Sequence, residues 1–243
     1  FLNSLTGNVL GVPFYTVKLF GKAFDFGYLQ LIALSLIAIF TLVNCATVVV
    51  SGWIATVLTG VKIALVLGIG IGAFVLASGD WSHFSLANVG GICEDVNPGT
   101  MLGVAGFSAA MLGALWGYDG WNNLTLVAGE VKDPQRNIPR ALIGGTILII
   151  LLYVFVNLAY FYVLTPTEIA SVPKASSVAS AVARSFLGPA AIALIAASLM
   201  ASSIGTLHTS ILTGARVPYA MSRDRLFFPR LARLSPRTHV PIG

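Results

Sequence analysis

One stretch of this chain puts polar and aromatic residues where apolar ones dominate on both sides. It reads Ala114-Leu115-Trp116-Gly117-Tyr118-Asp119-Gly120-Trp121-Asn122-Asn123. Two glycines, an acid, two amides and three aromatics thus occupy the middle of a run, 101–128, otherwise fit to span a bilayer. Glycine weakens a helix by about 1 kcal/mol relative to alanine. A charged acid at mid-bilayer costs at least roughly 2.5–3.5 kcal/mol on insertion scales. Both penalties make sense if the helix is interrupted there and faces a wet cavity, because an interrupted span leaves carbonyls and amides at mid-depth free to bind ions or polar solutes. The alternative is a packing glycine pair beside an interfacial aromatic belt, and the cluster sits too deep for a belt. The cluster from Trp116 through Gly117, Tyr118 and Asp119 to Asn122 is therefore where a polar solute could bind. Two jobs fit Asp119: capping a half-helix that starts at Gly120, or attracting a substrate amine.

A second intramembrane charge is Lys62, about two turns inside an apolar run, in Thr59-Gly60-Val61-Lys62-Ile63-Ala64-Leu65. It lies close enough to one edge for simple snorkelling. The functional alternative is a cation that binds carbonyls of a neighbouring broken helix and replaces a coupling sodium ion. A later run carries Ser198, Ser202, Ser203, Thr206, His208, Thr209 and Ser210. Hydroxyls in membrane helices commonly bond their own backbone or a neighbouring helix, and His208 reads as an interhelical donor before a proton relay. The spacing Gly68-x-x-x-Gly72 is a weak signal of close helix packing. The sequence offers no metal-ligand His/Cys spacing, no phosphate loop and no paired intramembrane aspartates. Neither a metal, a cofactor nor an enzymatic activity is expected.

These residues need elements to hold them, and composition says which. Hydrophobic residues make up 56% and charged residues 9% of the 243 positions, with a mean hydropathy of +0.88. A soluble domain carries about 25% charged residues, so lipid must be the solvent. A helix crossing about 30 Å of hydrocarbon needs roughly 20 apolar residues. The stretches 28–50, 53–77, 101–128, 142–164 and 187–215 qualify, and residues 1–20 read as the end of an earlier span followed by an exposed turn. Long continuous runs exclude barrel strands, so the expected fold class is all-α, a polytopic transmembrane helix bundle with one discontinuous helix, forming one domain over 1–243.

Counting spans alternately gathers Lys132, Arg136, Arg140, Arg216, Arg223, Arg225, Arg230, Arg233 and Arg237 on one side, against Lys18, Lys22, Lys174 and Arg184 on the other. The first side is then cytoplasmic, and the loop 78–100 with Asp80, Glu94 and Asp95 faces outward. The net charge of +5 is thereby topological and implies no nucleic-acid partner. Cys45, inside a span, reads as a small buried thiol, and Cys93 lies in a polar loop; two cysteines make no disulfide framework. Gly129 to Arg140, framed by Pro134 and Pro139, reads as a tight solvated connector, with Pro139 in the first turn of the next helix. The chain starts without methionine and stops where another apolar run could begin, so it reads as a piece of a longer protein.

Three motifs carry a family resemblance. Gly117-Tyr118-Asp119-Gly120-Trp121-Asn122, Gly129-Glu130-Val131-Lys132-Asp133-Pro134 and Arg136-Asn137-Ile138-Pro139-Arg140-Ala141 resemble the sixth helix and following loop of the amino acid–polyamine–organocation (APC) superfamily, nearest its L-type amino acid transporter branch. Tyr153 to Tyr162 is similar to that branch's seventh helix, and Ser202-Ser203-Ile204-Gly205 with Arg216 onward to its eighth helix and basic loop. The resemblance covers nearly the whole chain and is most specific from Tyr118 to Ala141. It implies part of a LeuT-type inverted-repeat fold, from the end of helix three through helix eight, without the helix one that holds the substrate carboxylate. It further implies Trp116 as an aromatic gate, carbonyls around Trp116, Gly117 and Asp119 as receivers of the substrate amine, and Asn122 in the pocket. Lys62 falls where sodium-independent members carry a lysine facing the helix-eight hydroxyls, here Ser202 or Ser203. Asp119 departs from the glycine, serine or alanine of many relatives. The outer loop Lys18 to Phe26 lacks the cysteine that joins animal members to a heavy chain, so no covalent heavy-chain partner is expected.

The function these readings imply is secondary active amino-acid transport by alternating access, as a sodium-independent exchanger or proton symporter, in the plasma (cell inner) membrane. A non-transporting membrane sensor or scaffold is the alternative from another class.

Overall fold

The computed structural model describes residues 9–19, 22–46, 48–92, 103–173 and 176–236. Cys93, Glu94, Asp95, Lys174 and Arg237 lie outside the described residues. Two strands, β1 (Pro13–Leu19) and β2 (Lys22–Gly27), precede a series of helices: α1 (Tyr28–Ala46), α2 (Val48–Leu76), α3 (Gly103–Trp116), α4 (Asn123–Leu126), α5 (Pro134–Val163), α6 (Pro166–Ala170), α7 (Val178–Leu187), α8 (Ala190–Gly214) and α9 (Arg216–Arg223). Among the described residues, four stretches are long and apolar enough to cross a membrane: Tyr28–Cys45, Val50–Leu76, Pro134–Val163 and Ala190–Arg223. The chain is thus a polytopic helical membrane protein. The third expected span differs, since α3 runs for 14 residues and ends at Trp116, where the polar cluster begins.

Two boundaries and one burial depart from the sequence reading. Residues 13–27, expected as the end of a span and a turn, form an antiparallel hairpin with Thr16 opposite Asp25 and Val17 opposite Phe24. Its alternating aromatic and β-branched residues suit a strand, and the Thr16 hydroxyl donates to Asp25 Oδ1 at 2.7 Å. The helix α5 starts at Pro134, eight residues before the apolar run, so Pro134 holds the first helical position and Pro139 lies inside the helix. Cys45 is exposed on α1 and not buried.

The chain divides into two compact units, residues 1–63 with 196–243, and residues 64–195. In the first, the hairpin enters α1 through a return bond from Gly27 N to Gln30 Oε1 at 2.8 Å, the reciprocal half of a capping box. Helices α1, α2 and α8 meet at His208, which is fully buried. Its Nε2 lies 2.9 Å from the Ser51 carbonyl; a carbonyl only accepts, so Nε2 donates. The other ring nitrogen lies 3.5 Å from Asn44 Nδ2. His208 is therefore an interhelical donor.

In the second unit, Ala73 of α2, Ala159 and Val163 of α5 and Val182 of α7 form the core. Small residues of α2 let aromatic rings approach its backbone. A Cβ on Gly70 would overlap the Phe155 ring, and one on Gly72 would come within 2.6 Å of Phe186, whereas Gly68 has open space. The packing signal in Gly68-x-x-x-Gly72 therefore belongs to Gly70 and Gly72. At the C-terminal end of α5, Tyr162 meets Phe74 at 5.2 Å and Trp81 at 5.0 Å between ring centroids, and the Tyr162 carbonyl accepts from Asp80 N at 2.8 Å. A capping box opens α6: Glu168 N donates to the Thr165 hydroxyl while Glu168 Oε2 accepts from Thr165 N at 2.8 Å.

Two outcomes are expected. Overpacking of a filled helix contact costs typically about 1–3 kcal/mol, so Gly70→Ala should lower the apparent melting temperature in detergent while Gly68→Ala leaves it unchanged or raises it. Second, hydrogen bonds from the Thr165 backbone and side chain hold the Glu168 carboxyl below its ordinary value of 4.5. A depressed carboxylate stabilises the fold above its ordinary value, and that contribution is lost as the pH falls through the folded one. Amide protection factors across 165–171 should consequently fall below about pH 4.5 in the wild type, and that fall should be absent in Glu168→Gln.

Candidate substrate site at the break after α3

Helix pairing stops at Trp116. The next three amides bond back three residues instead of four: Gly117 N to Ala114 O at 3.0 Å, Tyr118 N to Leu115 O at 3.0 Å and Asp119 N to Trp116 O at 3.1 Å. Gly120 then takes φ +103, a region open to glycine and strained for other residues. The chain resumes a short helix, α4, with Asn122 as its N-cap and no side-chain cap bond. Among the described residues, the N–H groups of Gly120, Trp121 and Asn122 have no acceptor, and the carbonyls of Tyr118 and Asp119 have no donor. The glycine pair therefore interrupts the helix and does not merely pack it. The capping role for Asp119 is not realised: the carboxylate makes no bond to these amides, and the half-helix begins at Asn123 and not at Gly120.

Helix α5 supplies the other wall. Tyr153, Val154, Asn157, Leu158 and Phe161 recur at the spacing of one helical face, and with Gly113, Ala114, Gly117 and Tyr118 they line an open cleft of about 620 Å³. The Tyr153 hydroxyl donates to the Gly117 carbonyl at 2.7 Å, so one of the carbonyls released by the break has a partner from the opposite wall. A Cβ on Gly117 would stand 3.4 Å from that hydroxyl and 3.2 Å from the Ala114 carbonyl, so the glycine keeps the approach open. The Tyr118 and Tyr153 rings meet edge-to-face at 5.2 Å. Asn157 Nδ2 donates to the Tyr153 carbonyl at 2.8 Å, within its own helix. The cleft has mainly aromatic and apolar walls, and of the residues whose peptide groups are left open at the break, Tyr118 is the one that lines it.

Of the sequence-derived residues, Gly117 and Tyr118 line this cleft, while Trp116, Asp119 and Asn122 do not. Trp116 ends α3 with 83% of its surface exposed. The carbonyl assignment also shifts. Gly117 O is taken by Tyr153 and Trp116 O by Asp119 N, which leaves Tyr118 O and Asp119 O unoccupied among the described residues. Tyr153, Asn157 and Phe161 were not singled out from the sequence. The available signal was the polar pair Tyr153 and Asn157, one turn apart in an apolar span.

Lys62, Ser202 and Ser203 belong to the other unit. Lys62 lies against α8, with its Cε and Nζ both 3.0 Å from where a Cβ on Gly205 would stand. Ser202 is one turn from Gly205, on the same side of α8. Ser203 donates to Leu199 O at 2.8 Å, and the Ser202 carbonyl accepts from the Thr206 hydroxyl at 3.0 Å. Among the described residues, Lys62 has no hydrogen bond to either serine. No group of three or more His, Cys, Asp or Glu able to hold a metal occurs among the described residues.

Sequence comparison agrees with this architecture. A family model described as amino acid permease matches residues 4–243, and the chain belongs to that family. It is 30% identical over 213 residues to the b(0,+)-type amino acid transporter 1 of Mus musculus, covering 87% of this chain and 41% of that protein. It is 33% identical over 137 residues to the serine/threonine exchanger SteT of Bacillus subtilis, covering 56% of this chain and 31% of SteT. The large neutral amino acids transporter small subunit 2 of Oryctolagus cuniculus is 27% identical over 215 residues, 88% of this chain and 38% of that protein. The chain spans about two fifths or less of the length of these relatives.

The clasp between Tyr153 and Gly117 has a local readout. A hydrogen bond of this kind contributes about 0.5–1.5 kcal/mol. Tyr153→Phe should raise amide exchange across 114–126 several-fold while exchange in α7 stays unchanged. Wild-type protection across 114–126 in the variant would show that the hydroxyl does not hold the break.

Proposed function

We propose that the chain is the permease domain segment of a secondary active amino-acid transporter that works by alternating access. The carrying observation is the interruption at Gly117 to Asn122, whose first residues, Gly117 and Tyr118, line a cleft shared with α5. A substrate ammonium carries three donors and no acceptor, and the free carbonyls of Tyr118 and Asp119 are the acceptors that suit it. Trp116, at the end of α3, closes over the bound solute as an aromatic gate, and Asn122 adds a polar contact when it does. Tyr153 keeps the break from re-forming a helix by holding Gly117 O.

The relatives support transport of amino acids and, through SteT, exchange as its mode. Sodium independence is read from Lys62: an ammonium seated against α8 near Ser202 and Ser203 replaces the charge of a coupling ion. The chain resides in the plasma membrane and works without a covalent heavy-chain partner, since Lys18 to Phe26 contains no cysteine.

The test is uptake and counterflow of radiolabelled amino acids by the intact protein in liposomes. Trp116→Ala and Asn122→Ala should each reduce uptake at least about tenfold, the loss of roughly 1.4 kcal/mol of binding. Uptake unchanged in both variants removes the site assignment, and ligand binding without counterflow removes transport. Replacing sodium by choline should leave uptake intact, and Lys62→Ala should impair it; a strong sodium requirement in the wild type contradicts the role given to Lys62.

A further inference from the structure

The 25 residues of α8 span about 37 Å at 1.5 Å per residue, more than the roughly 30 Å of hydrocarbon. The segment after α8 therefore lies at or beyond the lipid interface, and it has a fixed shape. Arg216 donates to the Leu212 carbonyl, so this arginine is spent on the C-terminal carbonyls of α8. After α9 the chain turns through Arg225, at φ +61. The turn is held by Leu226 N to Met221 O at 2.8 Å and by the Ser222 hydroxyl to Phe228 O at 2.7 Å. A 3-10 turn over Pro229–Ala232 completes a small helical hairpin.

Two kinds of side chain stand exposed on it. The Arg223 guanidinium lies 6.0 Å from the centroid of the Tyr219 ring. Arg223, Arg225, Arg230 and Arg233 are all exposed, and the acid within that stretch is Asp224. Among them, Leu226 and Phe228 stand 72% and 69% exposed, with Phe227 beside Phe228. Hydrogen bonds hold the backbone that presents these apolar groups, so they form a persistent surface feature. Charge and location select one partner. Guanidinium groups bind phosphates in bidentate fashion, and aromatic rings settle at headgroup level. A basic amphipathic segment joined directly to a membrane helix meets an anionic lipid surface before any other ligand.

We propose that this hairpin, Arg216 to Arg233, is a docking surface for anionic phospholipid headgroups of the leaflet into which α8 emerges. The four exposed arginines grip the phosphates, and Leu226 and Phe228 insert among the acyl chains. The proposal rests on α8 crossing the bilayer and is independent of what the protein transports.

Amide exchange of residues 216–236 tests it, measured with the intact protein in nanodiscs of phosphatidylcholine alone or with about one third phosphatidylglycerol, a lipid of single negative charge. Exchange should be at least about threefold slower in the anionic discs. A variant combining R223Q, R225Q, R230Q and R233Q should lose that difference. Raising salt from about 0.1 to 1 M shortens the screening length roughly threefold and should remove it in the wild type too, which keeps the test valid if the variant folds poorly. Leu226→Ser with Phe228→Ser should speed exchange in both compositions. Equal exchange of the wild type in the two compositions, or protection that survives both the variant and high salt, overturns the proposal; the latter would mean that a protein segment or a second copy covers this face.

Discussion

Every peptide group placed in hydrocarbon must find a partner within the protein, because no water is present to substitute. An unpaired buried amide or carbonyl costs from about 1 to several kcal/mol. The chain obeys this rule along α1, α2, α5 and α8 and breaks it between Gly117 and Asn122. Among the described residues, five peptide groups have no partner there, the carbonyls of Tyr118 and Asp119 and the amides of Gly120, Trp121 and Asn122. Such a segment persists in a membrane where it borders an open cavity, and a cleft walled by α5 adjoins its first residues. Helix α3 stops at Trp116, Gly120 turns the chain where other residues strain, and α5 turns a stripe bearing Tyr153 and Asn157 toward the opening.

Elsewhere several hydroxyls of the spans are consumed by their own helices, although among the described residues Asn44 Oδ1 and Ser51 Oγ are buried with no partner. Thr41, Thr56, Thr59, Ser203, Thr206, Thr209 and Thr213 each return a hydroxyl to the carbonyl four residues earlier, the usual way such groups are accommodated in lipid. His208 solves the same problem between helices through the Ser51 carbonyl. These contacts separate polar residues that merely live in the membrane from those at the break, where the backbone itself is left available. Lys62 stands apart from both groups, a cation resting on Gly205 without a hydrogen bond among the described residues.

The sequence makes the spans readable because lipid imposes one simple condition, an apolar run of fixed length. The interruption is readable for the complementary reason, since glycine, aspartate and asparagine at mid-span violate that condition without any other explanation. Features governed by partners across space are harder to see. Tyr153 is one aromatic among many in YVFVNLAYFY until its hydroxyl is found on Gly117 O. Gly70 matters because Phe155 faces it, which no spacing rule states, and the GxxxG pattern finds Gly72 but pairs it with Gly68, which has open space. The hairpin at 13–27 is short and alternating, so a search for 20-residue apolar runs passes over it. Pro134 rather than Pro139 begins α5 because helix geometry continues past the lipid boundary into the charged turn. The carbonyls assigned to the substrate shift from Trp116 and Gly117 to Tyr118 because bond partners within a broken helix depend on its three-residue turns.

The central claim is that the backbone from Gly117 to Asn122 opens onto a water-accessible chamber that receives an amino acid. Single cysteines at positions 117 to 122, introduced with Cys45 and Cys93 replaced, can be exposed to a membrane-impermeant thiol reagent in liposomes with and without amino acid. Reaction at Tyr118→Cys and Asp119→Cys, slowed by amino acid, with none at Leu112→Cys in the helix before the break, is the predicted result. Silence at all six positions under every condition, matching Leu112→Cys, would contradict it.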